Sequence, residues 1–205
     1  EMSRGLGDVY KRQYGINTAS DSKEYDGTPL TNKNAEVAGL VAKDTAYVEG
    51  TGEITDKGEV PNSAGDVNWA SGTDERNYIH DTSLDGIGVL TVTAKKIDPT
   101  PTPTPEDPDA VEHKLTLQGL ENVTYNGSSQ PQHEKIVVKD GDKKLVEGKD
   151  YELRWSSDTT NVGTVRVTVV GKGNYDGEDW AEYQIMHFPL SLIHISEPTR
   201  HLRIS

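Results

Sequence analysis

Cysteine is absent from this sequence of 205 residues, which excludes a disulfide framework, a thiolate nucleophile and a cysteine-based zinc site. Large aromatic residues are few, with a single Phe and three Trp. No apolar run approaches the roughly 18 residues of a membrane-spanning helix. The chain also does not open with the charged, apolar and small-residue regions of a signal peptide. We therefore expect no membrane insertion by this fragment.

Positive charge is in short supply as well. The chain carries 21 Lys and Arg against 34 Asp and Glu, a formal net charge of −13. A surface that binds phosphate groups needs clustered Lys and Arg, and no such cluster is visible. The composition therefore predicts no nucleic-acid partner, and the excess of like charge is suited to keeping a protein soluble and extended.

Short apolar runs are separated by Gly, Asn and Asp at intervals of about 8 to 12 residues, the spacing of a protein with many short strands. Apolar and polar residues alternate in KLTLQ (114–118) and TVRVTVV (164–170), which indicates one buried and one solvated face. The pattern predicts an all-β protein with two small β-sandwich or β-grasp-like modules. The stretch 35–54, rich in Ala, Val and Gly, leaves room for one helical turn.

The stretch DPTPTPTPEDPD, residues 98–109, contains five prolines and separates a first module at 14–97 from a second at 110–187. Proline lacks a backbone donor and fixes φ, so we expect this run to stay out of any sheet. It predicts a polyproline II spacer of roughly 35 to 40 Å and an elongated molecule. Docking on an SH3-like partner is the alternative role of such a run.

The two ends of the chain are related to each other. SRGLGDVYKRQ (3–13) and LSLIHISEPTR (190–200) can be encoded by the two strands of one DNA element, codon by codon in opposite directions. They resemble translated sequencing-adapter DNA, and a genuine inverted repeat in the gene is the alternative. We therefore interpret 1–13 as a non-native flank and 188–205 as mostly non-native, and we exclude both from functional reasoning.

The interior contains an echo of itself. Tyr25 and Tyr125 are each followed by a turn dipeptide, Asp-Gly or Asn-Gly, which readily adopts positive φ. Asn77-Tyr78 and Asn174-Tyr175 likewise both precede turns and the final strands of their halves. These echoes predict an internal repeat in which the aromatic residue lies in the core beside the turn.

The same segments carry a family resemblance. EYDGTPLTN (24–32) and NYIHDTSLDGIGVLTVTAKK (77–96) in the first half, and EGKDYEL (147–153) and NVGTVRVTVVGKGNYDG (161–177) in the second, resemble the mucin-binding-related MBG and YDG repeats of bacterial surface adhesins. The resemblance implies all-β modules in tandem on a wall-anchored or secreted protein, typically Gram-positive. It implies a role as stalk or adhesive unit, with neighbouring repeats as partners, and no catalytic residues.

No motif indicates catalysis, a cofactor or a metal. The histidines of the interior, His80, His113, His133 and His187, are scattered without metal-ligand spacing, and we interpret them as surface residues. No GxSxG elbow supports a nucleophilic serine. The turn DGDKK (140–144) has two carboxylates but no distal Glu, so it favours a solvated hairpin turn over a calcium site. We expect a protein that is not an enzyme.

Two functions remain open. The modules are spacers in an adhesin stalk, or they bind host glycan or mucin through exposed aromatic rings, for which Trp69 and Trp180 are the candidates. Strand alternation predicts that Trp155 and Trp180 are buried, and a buried ring cannot stack on a sugar. The exposure of the three tryptophans therefore discriminates between the two functions: wet rings beside polar groups favour glycan binding, and buried rings favour a spacer.

Overall fold

A computed structural model describes residues 10–188, which fold into short strands joined by turns. The all-β prediction is confirmed. The only helices in this part of the chain are three short 3-10 helices, at Glu75–Asn77, Thr82–Leu84 and His133–Lys135. None of the helices within 10–188 has the length and apolar character needed to cross a membrane.

The strands divide between the two halves. The first half contains Arg12–Thr18 (β1), Asp21–Glu24 (β2), Leu30–Thr31 (β3), Ala35–Ala38 (β4), Ala46–Tyr47 (β5), Glu53–Ile54 (β6), Gly58–Pro61 (β7), Asn68–Trp69 (β8), Tyr78–His80 (β9), Val89–Thr93 (β10) and Lys95–Lys96 (β11). The remainder contains Thr100–Pro101 (β12), Val111–Glu112 (β13), Thr116–Gln118 (β14), Val123–Thr124 (β15), Val137–Asp140 (β16), Lys143–Lys144 (β17), Tyr151–Trp155 (β18), Gly163–Gly171 (β19), Tyr175–Asp176 (β20) and Glu178–Met186 (β21). The stretch 35–54 thus forms strands and not the helical turn.

The two halves pair their strands in a corresponding way. In the first half β10 lies between β2, which is parallel to it, and β7, which is antiparallel. In the second half β21 lies between β15, which is parallel, and β19, which is antiparallel. A second correspondence involves β1, which pairs with β9 along its first part and with β4 along its second. Around the second half these two pairings are made by two strands, β11 with β20 and β14 with β16.

The predicted turns after Tyr25 and Tyr125 form in both halves. Gly27 has φ 81° and Gly127 has φ 79°, a region that glycine occupies without a steric penalty. The side chains of Asp26 and Asn126 each accept the backbone N–H two residues ahead at 2.8 Å. This is an Asx-turn, which explains why an Asp or Asn stands before each glycine.

The Pro-Thr stretch is not the extended spacer that the sequence predicts. β12 pairs antiparallel with β13, and Thr102 donates its N–H to Ala110 O at 2.8 Å, so residues 98–109 turn back on themselves. Proline alternates here with threonine, which keeps its N–H. The run can therefore direct its remaining donors toward the partner strand while the proline nitrogens occupy positions without a ladder bond.

The expectation of two separate cores is also wrong. The larger hydrophobic cluster contains residues of both halves, and β11 of the first half pairs with β20 of the second. Its buried members are Tyr25, Leu30, Leu90, Val92 and Ile97 from the first half and Leu115, Val138, Leu145, Tyr151, Val169 and Tyr175 from the second. Because the hairpin returns the chain to its starting point, the second half begins beside the first and shares its apolar surface. A smaller cluster of Val165, Val167, Tyr183 and Ile185 lies entirely within the second half.

The flank boundary at residue 13 is not a structural boundary. Arg12 and Gln13 belong to β1 and pair with Tyr78 and Ile79 of β9. Backbone pairing needs no particular side chain, and Arg12 and Gln13 are exposed. Residues 1–9 and 189–205 lie outside the described residues, so the interpretation of those segments as adapter sequence stays a prediction.

Replacing Ile97 with Ala tests the shared core. Ile97 is fully buried where the two halves meet, so Ile97→Ala should lower the free energy of unfolding by about 2 to 5 kcal/mol. Denaturant unfolding should show one transition, shifted as a whole. Ile79→Ala is the matched control, since Ile79 is 51% exposed and its truncation should change stability by less than about 0.5 kcal/mol. Two separate transitions, of which Ile97→Ala shifts one, would contradict a shared core.

Candidate binding surfaces

An open groove of 660 Å³ borders Trp69 in the first half. Strand β8 brings Trp69 to the groove, while β1 and β9 bring Tyr14 and His80 side by side through their parallel register. Asp85 directly follows the 3-10 helix Thr82–Leu84 and also lines the groove. The lining consists of Tyr14, Ile16, Ser63, Ala64, Gly65, Asp66, Val67, Trp69, His80, Asp85 and Ile87.

Four rings form a ladder along this groove. Tyr14 stacks on His80 at a centroid distance of 5.0 Å and meets Trp69 edge to face at 5.4 Å. Trp69 in turn stacks on the buried Tyr78 at 5.3 Å. Aromatic pairs in such geometries stabilise each other beyond their buried area. The ladder therefore holds Trp69 in a fixed orientation, with one face covered by Tyr78.

The hydroxyls and carboxylates around the ladder fix its ends. Tyr78 donates its hydroxyl to Asp44 Oδ2 at 2.6 Å and accepts the Val41 N–H at 3.1 Å. Burial, followed by the hydrogen bond to Asp44, raises the pKa of Tyr78. Burial, followed by the negative charge of Asp85, raises the pKa of Tyr14. Both phenols therefore stay neutral across the physiological range.

Asp85 supplies a fixed negative charge at the groove. Its Oδ1 accepts the backbone N–H of Ile16 at 2.7 Å and lies 2.8 Å from His80 Nε2. The hydrogen bond from His80, followed by that from Ile16, lowers the pKa of Asp85. An ionised acceptor beside flat rings is the combination that a polyhydroxylated ligand needs, because sugar hydroxyls donate to carboxylates and sugar C–H faces pack on rings.

Trp180 lies in a different environment from the one that alternation predicts. It is half-buried on the outer face of the sheet β15–β21–β19–β18, on the side opposite Tyr183 and Ile185. The guanidinium carbon of Arg166 stands 4.0 Å from its ring centroid, and His113 meets it edge to face at 4.8 Å. A sugar ring on that face would have to displace a cation–π contact. Alternation itself holds along β21, but the core-facing positions are 179, 183 and 185, so Trp180 lies on the opposite face.

Trp155 is a structural residue. It lies on the inner face of β18, half-buried against the smaller cluster, and its Nε1–H donates to Pro131 O at 2.8 Å. His133 packs near its ring at 5.4 Å. All three tryptophans are thus half-buried, and Trp69 is the one that lines the large groove of the first half.

The interior histidines are more organised than their spacing indicates. His80 contacts Asp85 at 2.8 Å, His113 contacts the fully buried Asp179 at 2.5 Å, and His133 contacts Glu147 at 3.0 Å. Each of the three also packs against an aromatic ring. The partners are 5, 66 and 14 residues apart, so only the fold brings the distant ones together. Sequence reasoning missed these pairs, and no local signal marks them.

The residues 10–188 contain no group of three or more His, Asp or Glu side chains arranged to hold a metal ion. The acidic turn at 140–144 joins β16 to β17 as a hairpin. Both carboxylate oxygens of Asp140, in this turn, accept a hydrogen bond from Lys95 Nζ at 2.7 Å. That carboxylate holds the two halves together and is not directed at a cation from solvent.

A search of protein-family models finds no match to this chain, and a search of curated proteins finds no significant relative. The arrangement of side chains is therefore the basis for a functional proposal, together with the resemblance of the motifs.

Asp85 makes the stability of the groove depend on acid. Because its pKa is lowered in the folded state, its stabilising contribution is present above the unfolded value of about 3.9 and is lost as the pH falls through the folded value. Asp85→Asn should thus lower the free energy of unfolding by about 1 kcal/mol or more at pH 7, and the gap from the unchanged protein should narrow below about pH 4. Denaturant unfolding at several pH values measures this. Asp66→Asn, at the exposed rim, is the control, and an equal effect of both substitutions would contradict the assignment.

Proposed function

We propose that this chain is part of a bacterial cell-surface or secreted repeat protein, in which the two β modules form a section of an adhesin stalk. The motif resemblance to MBG and YDG repeats is one support. The corresponding strand pairing of the two halves around β10 and β21 is another. The protein acts outside the cell, on the wall of a Gram-positive bacterium or after secretion, and the proposal includes no catalytic activity.

The observation that carries the stalk proposal is the hydrophobic cluster that spans both halves. A stalk must transmit position and tension, and modules that move freely about a linker do this poorly. Here Lys95 Nζ binds Asp140 across the joint at 2.7 Å, and Lys96 pairs with Asp176. The joint is thus both apolar and ionic, and the two modules should act as one stiff unit.

Stretching single molecules between their ends tests the stalk proposal. Because the halves share a core, the folded part should give way in one event that releases roughly 60 nm of chain, as about 180 residues extend by some 3.3 to 3.6 Å each. Ile97→Ala should lower the force of that event or split it in two, and the exposed Ile79→Ala should change neither. Two half-length events at unrelated forces in the unchanged chain would contradict a stiff two-module unit.

The groove beside Trp69 favours a second function, binding of host glycan or mucin. Its support is the meeting of Trp69, His80 and Asp85 in one open cavity, which provides ring surface and hydrogen-bonding groups together. Trp180 is the weaker candidate, because Arg166 already occupies a face of its ring.

Glycan-array or mucin-overlay binding with the full chain distinguishes the two functions. If the chain binds glycan, Trp69→Ala should abolish the signal. Asp66→Ala should weaken it, because Asp66 also lines the groove and its removal leaves the aromatic ladder intact. Trp180→Ala should retain full binding. Absence of signal for the unchanged chain would remove the glycan function. Loss of signal in Trp180→Ala alone would place the ligand on the outer face of the second half.

A further inference from the structure

Two tyrosines occupy corresponding places in the two halves and differ in exposure. Tyr25 donates its backbone N–H to Thr93 O, and Tyr125 donates its own to Met186 O, both at 2.8 Å and both at the end of the last long strand. Tyr25 is 8% exposed, whereas Tyr125 is 41% exposed. The local backbone is the same, so the difference comes from what covers each ring.

Tyr25 is covered by the second half. Its ring meets Tyr175 edge to face at 5.7 Å, and Lys143 Nζ donates to its hydroxyl at 2.8 Å while standing 4.9 Å from its ring centroid. Asp140 lies on the far side of this pocket, 3.4 Å from the Tyr175 hydroxyl. We call Tyr175, Lys143 and Asp140 the tyrosine pocket of the second half.

The residues after β10, the strand whose Thr93 binds Tyr25, make the second contact between the two halves. After Thr93, Lys95 donates its N–H to Asn174 O at 2.9 Å and Ile97 donates to Asp176 O at 3.0 Å. The strand that leaves the first half thus becomes a parallel neighbour of β20, and Ile97 is fully buried there. A ring in a pocket and an added strand together make the contact between the halves.

The corresponding end of the second half is bare in the described part of the chain. Tyr125, Met186 and Val162 are 41%, 43% and 40% exposed. Tyr125 and Met186 are neighbours, since the Tyr125 N–H donates to Met186 O, and adjacent exposed apolar side chains mark an interaction surface in a way that scattered ones do not. Val162 and Met186 also border one open groove of 340 Å³. We call Tyr125, Val162 and Met186 the end surface.

We propose that the end surface docks a further module of the same kind as the second half. Tyr125 enters that module's tyrosine pocket as Tyr25 does here, and the chain after Met186 pairs with its equivalent of β20. The inference rests on the proposed tandem stalk and adds the contact by which one module follows the next. The occupied joint within this chain supplies the geometry, and the bare joint has the same backbone register.

An extended chain tests this docking. The full chain up to His187 is followed directly by a second copy of residues 95–187, since His187 corresponds to Ala94 when Met186 is aligned with Thr93. Tyr125→Ala is introduced into the unextended and the extended chains, and thermal and denaturant unfolding are measured. In the unextended chain the unfolding midpoint should change little, because the Tyr125 side chain is already exposed to solvent. In the extended chain the unfolding equilibrium constant of the appended copy should rise about tenfold.

Two further variants make the result specific. Lys143→Met in the appended copy alone should remove most of the added effect of Tyr125→Ala, as contacting residues in a double-mutant cycle do. Tyr25→Ala in the unextended chain is the positive control, because that ring is already docked. Equal effects of Tyr125→Ala in both chains would overturn the proposal, and so would an appended copy that stays unfolded. An appended copy that folds without coupling to Tyr125 removes the docking but leaves the stalk proposal to the stretching experiment.

Discussion

The rest of the structure depends on the pairing of β11, at the end of the first half, with β20 of the second half. Ile97 is fully buried where β11 lies against β20, and Tyr25 is buried where Tyr175 and Lys143 pack beside it. Neither half therefore covers all of its own apolar surface. Removing this strand addition would expose the largest buried cluster to water, so the fold of each half is coupled to the presence of the other.

Local features of the fold could be predicted from the sequence because each depends on a few neighbouring residues. Alternation marked β14 and β19, and the Asp-Gly and Asn-Gly pairs marked turns whose glycines have positive φ. The shape of the Pro-Thr stretch could not be predicted from the same rules. The missing donors of proline predict no pairing, but the retained N–H groups of the intervening threonines decide it, as the bond from Thr102 to Ala110 O shows. The shared core depends on contacts between residues far apart in sequence, which no local pattern encodes.

The candidate groove shows the same division. Trp69 could be singled out from the sequence because the chain has only three tryptophans and Trp69 lies outside the strands that alternation marks. Its companions Tyr14, His80 and Asp85 could not, because the parallel register of β1 and β9 brings Tyr14 beside His80. Trp180 shows that composition alone misleads: the phase of β21 places it outside, where Arg166 covers its ring. A binding surface on a sheet is thus set by strand phase, which shifts completely with a slip of one residue.

The Pro-Thr hairpin has a consequence for how such a chain can change over time. In the first half one continuous strand, β1, pairs first with β9 and then with β4. The corresponding pairings around the second half are made by two strands, β11 from the end of the first half with β20, and β14 with β16, and the hairpin β12–β13 lies between β11 and β14 in the chain. The hairpin thus takes the place of the middle of one continuous strand, and the strands on either side of it, β11 and β14, each pair with a different neighbour. Because β12 and β13 pair only with each other, we expect segments of other length and composition to be accepted there if they also bring the chain back, which makes the hairpin a site for grafting a foreign peptide.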